Sequence, residues 1–153
     1  MTEHYRKLEN AYLGARINEF YRPTISIAEG MATIEVEVRP EFWHIASAVH
    51  GSVYFKMLDD AAFFAASSYV EDVFVLTASF NLYLTRPVEG GRIKSVGRVT
   101  SRSRRLIIAE AELFDGEGRE IARGSGSFML SRVPLTPEIG YDLPKALDPT
   151  PGS

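Results

Sequence analysis

Three charged side chains interrupt an otherwise apolar stretch in the middle of this 153-residue chain. They are Lys56, Asp59 and Asp60, within a run from residue 52 to about residue 69 that is rich in alanine and phenylalanine. At a helical advance of about 100° per residue, Asp60 lies about 40° from Lys56 and Asp59 about 60° on its other side. A helix that is hydrophobic on nearly every side is buried. The three charges therefore share one stripe of a predicted buried helix.

Asp59 is the candidate for catalysis among these three. Lys56 and Asp60 are four residues apart and can pair across one helical turn, which accounts for both. A further carboxylate in so apolar a helix costs several kcal/mol unless it meets a partner or lines a cavity. Carboxylates held at such a cost are typical of functional sites. We therefore expect Asp59 to have a functional role.

The segment Val49-His50-Gly51-Ser52 leads into this helix. Ser52 is the predicted N-cap, and Gly51 allows close approach to the backbone. Unpaired amide N–H groups and the positive end of the helix dipole suit an anion or a developing oxyanion. Every helix start offers these groups, and His50 can equally bond to nearby backbone. This segment alone therefore leaves the function open.

The composition removes several other chemistries. The absence of cysteine excludes disulfides, iron–sulfur clusters, thiolate zinc sites and a cysteine nucleophile. Only three histidines are present, at positions 4, 44 and 50, so we expect no metal site. The formal net charge of −3 disfavours nucleic acid as a partner. No apolar run follows the charged N-terminal residues and none is long enough to span a membrane, so we expect a cytoplasmic protein without a membrane partner.

The hydrophobic pattern predicts an α+β chain in the order α, β, β, α, β, β, β, β. Residues 2–20 predict an amphipathic helix, whose apolar face carries Leu8, Tyr12, Leu13 and Ile17. Period-two alternation after Pro23 predicts a β-hairpin with its turn at Glu29-Gly30. After the buried helix, a four-strand meander is predicted at 74–86, 92–100, 106–114 and 120–130.

These elements predict a curved antiparallel sheet wrapped around one long central helix. One helix covers only one face, so the rest of the sheet must meet water, the N-terminal helix or a second copy of the chain. We divide the chain into an N-terminal helical segment at 1–22, this domain at 23–131 and a proline-rich tail at 132–153. The tail is predicted to be extended, partly disordered and outside the core.

Three segments stand out together: Ala-Val-His-Gly-Ser at 48–52, Met-Leu-Asp-Asp-Ala-Ala at 57–62, and Leu-Thr-Ala-Ser-Phe-Asn-Leu-Tyr-Leu-Thr-Arg-Pro at 76–87. In combination they resemble the hotdog-fold acyl-CoA thioesterases. The resemblance is greatest to the phenylacetic-acid-degradation type within the 4-hydroxybenzoyl-CoA thioesterase superfamily. It runs from about residue 30 to residue 130. It implies a hotdog fold and an enzyme that hydrolyses an acyl-CoA thioester.

The resemblance also assigns roles to particular residues. Asp59 matches the family's helix carboxylate, which acts as general base on water or as the nucleophile. Gly51 matches the glycine whose N–H polarises the thioester carbonyl, and Thr77 matches a hydroxyl position that orients the attacking water. In relatives the helix start and the carboxylate come from neighbouring subunits, which implies a homodimer or a homotetramer built as a dimer of dimers. No cofactor is implied, because coenzyme A is part of the substrate.

Two positions depart from the family pattern. His44 stands where asparagine is often found six residues before the motif histidine His50, and Ser52 replaces a second glycine. His44 can still donate a hydrogen bond to a thioester carbonyl or hold a water. Ser52 keeps the predicted helix cap, although its side chain could narrow the acyl pocket.

Further candidates concern the two ends of the substrate. The phosphates of coenzyme A could meet a basic rim, and a solvated surface accounts equally well for any one of its residues. The rim comprises Arg86, Arg102, Arg104 and Arg105, with Arg92, Lys94 and Arg98 on neighbouring segments. Phe63 and Phe80 are candidates for contact with an aryl or medium-chain acyl group, although most aromatic residues in such a domain belong to the core.

Two other functions remain open from the sequence. A hotdog hydratase or dehydratase acts on an enoyl-CoA through a histidine and a carboxylate that face each other. His50 or His44 with Asp59 could form such a pair, but the characteristic His-Phe-Pro-Gly type of segment is absent. The other possibility is an acyl-CoA-binding module without turnover.

Overall fold

The computed structural model describes residues 1–144 of the chain. Two helices, a pair of strands, a long helix and four more strands follow one another. They are α1 (Thr2–Gly14), α2 (Ile17–Tyr21), β1 (Thr24–Ala28), β2 (Met31–Glu37), α3 (Gly51–Ser67), β3 (Val73–Leu84), β4 (Arg92–Arg102), β5 (Leu106–Phe114) and β6 (Glu120–Pro134). Within that range no helix is both long and apolar enough to cross a membrane.

Helix α3 lies against one face of a single antiparallel sheet and contacts β2 to β6. Among the described residues the sheet has six strands in the order β1-β2-β4-β5-β6-β3. Side chains alternate along β5, so that Ala109, Ala111 and Leu113 are buried against α3. This architecture confirms the predicted α+β class and the single long helix inside a curved sheet.

Gly97 of β4 lets the helix approach the sheet closely. A side chain at this position would overlap the backbone of Ala61 and Ala62 on α3. The small side chains of Ala61 and Ala62 are fully buried at the same contact. The alanine-rich composition of the helix therefore reflects a close helix–sheet packing, which holds the stripe with Asp59 in a fixed position.

Strand β3 differs from the predicted four-strand meander. It pairs with β6 and forms an edge of the sheet, whereas β4 pairs with β2 and β5. The connection after β3 crosses one end of the sheet instead of turning back in a hairpin. It is held there by hydrogen bonds from Val49 N–H to Val88 O and from Val38 N–H to Gly91 O, both at 2.9 Å.

The N-terminal segment is two helices and not the predicted single helix over residues 2–20. The chain becomes extended at Ala15, and the Asn18 side chain donates a hydrogen bond to Tyr12 O that holds the end of α1. Leu8 and Tyr12 are buried as expected. Because the break turns the chain, Leu13 and Ile17 are 50% and 57% exposed and do not lie on the buried helix face that carries Leu8 and Tyr12.

The C-terminal segment also differs from the prediction. The last strand continues to Pro134, and the partly buried Leu135 and Tyr141 pack against the core, so these two residues of the predicted tail contact the domain. The sequence did not predict this packing because its proline content is also typical of unstructured termini. Residues 145–153, to which the expectation of an extended tail also applied, lie outside the described residues.

Candidate active site

Asp59 and Thr77 meet where α3 crosses β3. The Thr77 hydroxyl donates a hydrogen bond to Asp59 Oδ1 at 2.9 Å. Both side chains line a cavity of about 640 Å³ whose other walls are mostly apolar. The carboxylate singled out from the sequence therefore has both a hydrogen-bond partner and a cavity.

The pKa of the Asp59 carboxyl is closer to neutral than that of an ordinary aspartate. Burial, with a smaller contribution from the neighbouring Asp60 carboxylate, raises this pKa to about 6. The Thr77 hydrogen bond and the Lys56 charge lower the same pKa and limit the rise. A carboxylate with a pKa close to the working pH is a better general base than an ordinary aspartate.

Lys56 and Asp60 form the ion pair that their spacing predicts, with 2.6 Å between Nζ and Oδ2. Sequence reasoning missed the third member of this cluster. Tyr12 of α1 donates a hydrogen bond to the same Oδ2 at 2.7 Å. Burial and the Asp60 carboxylate raise the pKa of the Tyr12 hydroxyl, which therefore stays protonated. Helical spacing indicated only that Tyr12 is buried, because no local pattern reports a contact with α3.

The start of α3 is capped by His50 and not by Ser52 as predicted. The His50 Nδ1 accepts the Ser52 N–H at 3.0 Å and lies 2.8 Å from the Ser52 hydroxyl. His50 can cap the helix because a neutral ring nitrogen, like a serine oxygen, accepts a hydrogen bond from a backbone N–H that has no partner within the helix. Gly51 is the first helical residue, and none of residues 1–144 accepts its N–H. That N–H lies at the N-terminal end of α3, where the helix dipole is positive.

His44 lies beside Gly51 in a second depression of about 360 Å³, which Arg86 also lines. Its Nδ1 accepts the Ala46 N–H at 3.0 Å, so Nε2 is left to meet another group. The Tyr54 hydroxyl donates to Arg86 O at 2.8 Å and anchors the far side of this depression. No group of three or more His, Asp or Glu side chains within residues 1–144 is placed to hold a metal ion.

The two sets of candidate residues are separate within one subunit. Gly51 and Asp59 are eight positions apart on the same straight helix, which corresponds to about 12 Å along its axis. The two cavities are therefore distinct within one subunit, with Asp59 and Thr77 in one and Gly51 and His44 in the other.

The aromatic candidates occupy different places. Phe63 lines the cavity beside Asp59 and packs against Phe74 with 5.2 Å between ring centroids. Phe80 does not line that cavity. It contacts Phe55 at 5.7 Å and covers the backbone of Gly124 and Gly126, where any side chain would overlap its ring. This placement indicates a packing role for Phe80.

The basic candidates do not form one rim in a subunit. Arg102 stacks on Tyr69, 3.8 Å from the ring centroid, and Arg104 lines the same shallow pocket just beyond the C-terminal end of α3. Arg86 lies at the other end of the helix. Arg105 is exposed in the loop after Arg104. The side chains of Arg92, Lys94 and Arg98 alternate with the buried residues of β4 and therefore lie on the sheet face opposite α3.

Comparison with known proteins defines the class of this fold and site. The sequence pattern described as "Thioesterase superfamily" matches residues 46–122, just over half of the chain. A protein of Thermoplasma volcanium whose name proposes an esterase is 26% identical over 106 residues, covering 69% of this chain and 80% of its own. The chain belongs to the thioesterase superfamily.

Solved structures show the same fold. The Escherichia coli PaaI protein of the phenylacetic acid degradation operon matches with a TM-score of 0.77 and 17% identity, covering 87% of this chain and 99% of that one. A thioesterase of Haemophilus influenzae matches with a TM-score of 0.73 and 15% identity, covering 80% of this chain and 87% of that one. The hotdog thioesterase fold inferred from the motifs is thereby confirmed.

Proposed function

We propose that this protein is an acyl-CoA thioesterase in which Asp59 is the catalytic carboxylate and the Gly51 N–H binds the thioester oxygen. The observation that carries this proposal is the hydrogen bond between Asp59 and Thr77 at the edge of a largely apolar cavity. A carboxylate whose pKa is raised to about 6 and an apolar binding space are what hydrolysis of an acyl thioester requires.

The chemistry follows from these groups. Water attacks the thioester carbon while Asp59 accepts its proton, and the carbonyl oxygen becomes an oxyanion that the Gly51 N–H and the helix dipole stabilise. When the intermediate collapses, the carbon–sulfur bond breaks and coenzyme A leaves as a thiolate, which takes up a proton. In the covalent variant, Asp59 itself attacks and water then hydrolyses the resulting anhydride. After a single turnover in ¹⁸O-water, label in Asp59 identifies the covalent variant, because water that attacks the Asp59 carbonyl of the anhydride leaves its oxygen there, whereas general-base catalysis labels only the released acid.

A complete site needs two subunits. Strand β3 is an edge strand of 12 residues with no charged side chain, and such edges in soluble proteins are normally covered. The Leu84 end of β3 lies against Gly51, since a side chain on Gly51 would lie 3.3 Å from Leu84. Antiparallel pairing of two β3 edges brings the Leu84 end of one copy toward the Thr77 end of the other. The depression that Gly51 lines in one copy then approaches the cavity that Asp59 lines in the other.

Coenzyme A would enter from the Gly51 side in this arrangement. Arg86 lines the depression next to Gly51 and suits a phosphate group at the mouth of the site. His44 lies in the same depression with Nε2 available as a second donor to the carbonyl oxygen. No further cofactor takes part, because the thiolate is a good leaving group.

The test of this function is release of free thiol from a panel of acyl-CoA substrates, including butanoyl-, decanoyl-, benzoyl- and phenylacetyl-CoA. Turnover of at least one member supports the proposal. Hydration of an enoyl-CoA without thiol release would instead identify a hydratase. Binding of acyl-CoA in calorimetry without any reaction would identify a binding module.

The Gly51 N–H can be removed with little disturbance of the helix. Proline is favoured at the first helical position, and His50 already has the extended conformation, φ −63° and ψ 144°, that a residue before proline requires. Gly51→Pro is expected to lower kcat/KM for thiol release by about a hundredfold or more. Gly51→Ala adds a comparable Cβ and keeps the N–H, so its loss should be much smaller. Equal losses in the two variants would contradict a role for this N–H.

The pH profile should report the charges around Asp59. Burial raises the pKa of this carboxyl to about 6 and the ionised form is active, so kcat/KM should rise with pH through that value and fall away below it. Lys56→Met removes a charge that lowers this pKa and should move the acid limb to higher pH by about one unit. Asp60→Asn removes a charge that raises it and should move the limb to lower pH. Tyr12 also faces the cluster and stays protonated, because its pKa is raised. Shifts in the same direction in both variants would refute this assignment.

A further inference from the structure

Parts of the chain outside the region that matches the superfamily line the cavity beside Asp59. That region is residues 46–122. Ala11, Ala15 and Ile17 line the cavity from the N-terminal side, and Val133 and Ile139 line it from the C-terminal side. The two ends of the described chain therefore complete a site whose catalytic carboxylate belongs to the superfamily core.

Hydrogen bonds fasten these terminal segments to each other and to α3. Tyr141 lies 2.7 Å from His4 Nδ1, and His4 Nε2 lies 2.9 Å from Ser67 O. A carbonyl only accepts, so Nε2 carries the proton and Nδ1 accepts from the Tyr141 hydroxyl. Asn10 also donates to Gly140 O at 3.1 Å. His4 is only 5% exposed, so this link is an internal part of the fold.

We infer that these terminal segments form the far wall of the acyl-binding site and that Ala15 limits the length of the acyl group that fits. This inference rests on the proposed thioesterase function. A cavity of about 640 Å³ is far larger than an acetyl group needs, and its apolar walls suit a medium-chain or aryl acyl group. Ala15 is the position to alter, because its side chain is small and its extended backbone carries no helix-propensity cost.

The experiment compares Ala15→Val, Ala15→Leu and Ala15→Phe with the wild type on straight-chain acyl-CoAs from four to fourteen carbons. The ratio of kcat/KM for the longest accepted substrate to that for butanoyl-CoA should fall progressively, by about tenfold or more in Ala15→Leu. Leu13→Phe is the matched control, since it adds bulk two residues before Ala15 at a side chain that is 50% exposed and does not line the cavity. Its ratio should stay within about twofold of the wild type. Ala15→Val keeps the test available if the larger variants do not fold.

Binding of S-alkyl-CoA thioethers, which cannot be hydrolysed, separates this inference from the proposed function. If the wild type hydrolyses acyl-CoA while kcat/KM depends on acyl-chain length in the same way in the Ala15 and Leu13 variants, Ala15 does not limit the acyl length, and the proposed function stands. If no substrate turns over but the tightest-binding alkyl length shortens in Ala15→Leu, the function is wrong and the wall assignment stands. A cavity filled by a second copy of the chain would give no length dependence in either measurement and would overturn the inference.

Discussion

Asp59→Asn is expected to lower kcat/KM for thioester hydrolysis by about a hundredfold to ten-thousandfold. The amide has nearly the same shape as the carboxylate and can keep a hydrogen bond with the Thr77 hydroxyl, which now lies 2.9 Å from Asp59 Oδ1. It cannot accept a proton from water or attack the thioester carbon. The loss therefore measures the chemical role of the carboxylate and not its packing. Thiol release at saturating and limiting substrate would place the loss in kcat.

Asp72→Asn is the matched control, because it makes the same chemical change at an exposed position outside the cavity. Its kcat/KM should equal that of the wild type. Stability gives a second control. Since burial raises the pKa of Asp59, its ionised form destabilises the folded chain above about pH 6, so Asp59→Asn should unfold at no lower temperature than the wild type at pH 8. A folded Asp59→Asn variant with wild-type turnover would remove Asp59 from the mechanism.

Mixing two inactive variants should restore activity. In a dimer with sites across the interface, an Asp59→Asn subunit still supplies an intact Gly51, and a Gly51→Pro subunit still supplies an intact Asp59. One of the two sites in each mixed dimer is then complete. Equal amounts refolded together give half mixed dimers, so about a quarter of wild-type activity should return.

Each variant refolded alone is the background for this measurement. Mixed dimers isolated with two different affinity tags should have about half of the wild-type activity, because every such dimer has one complete site. If Gly51 and Asp59 of the same subunit acted together, every subunit in the mixture would be defective and no activity would return. That result would also conflict with the separation of about 12 Å between the two residues along α3.

The candidate site residues that the sequence predicted are those with a local signal. Asp59 stood out because a lone carboxylate is costly in an apolar helix, and the cavity and the Thr77 hydroxyl now account for it. The Lys56–Asp60 pair follows from helical spacing and is present. The hairpin of β1 and β2 followed from period-two alternation, and its turn has Gly30 at φ 66°, a conformation that glycine adopts at little cost.

No local sequence pattern indicated which side chains of β3 face the helix. Strict alternation puts Thr77 and Phe80 on opposite faces of a strand. A β-bulge between Thr77 and Ser79 lets both face the helix, where Thr77 reaches Asp59 and Phe80 reaches Phe55. A bulge depends on the pairing with β6 and on Gly124 and Gly126 beneath the Phe80 ring, so one strand's sequence does not reveal it.

The sequence by itself determined the elements with strong local periodicity, the central buried helix, the curved antiparallel sheet and the position of the candidate carboxylate Asp59 in that helix. Their energetics are local, because hydrophobic period and the cost of a buried charge depend on neighbours along the chain. The tertiary structure alone decided that β3 is an edge strand beside β6, that His50 caps α3, and that Gly51 and Asp59 line separate cavities. It also decided that α1, α2 and the segment after β6 line the cavity beside Asp59. These features depend on contacts between residues that are distant in the sequence, such as His4 and Tyr141, and no local pattern encodes such contacts.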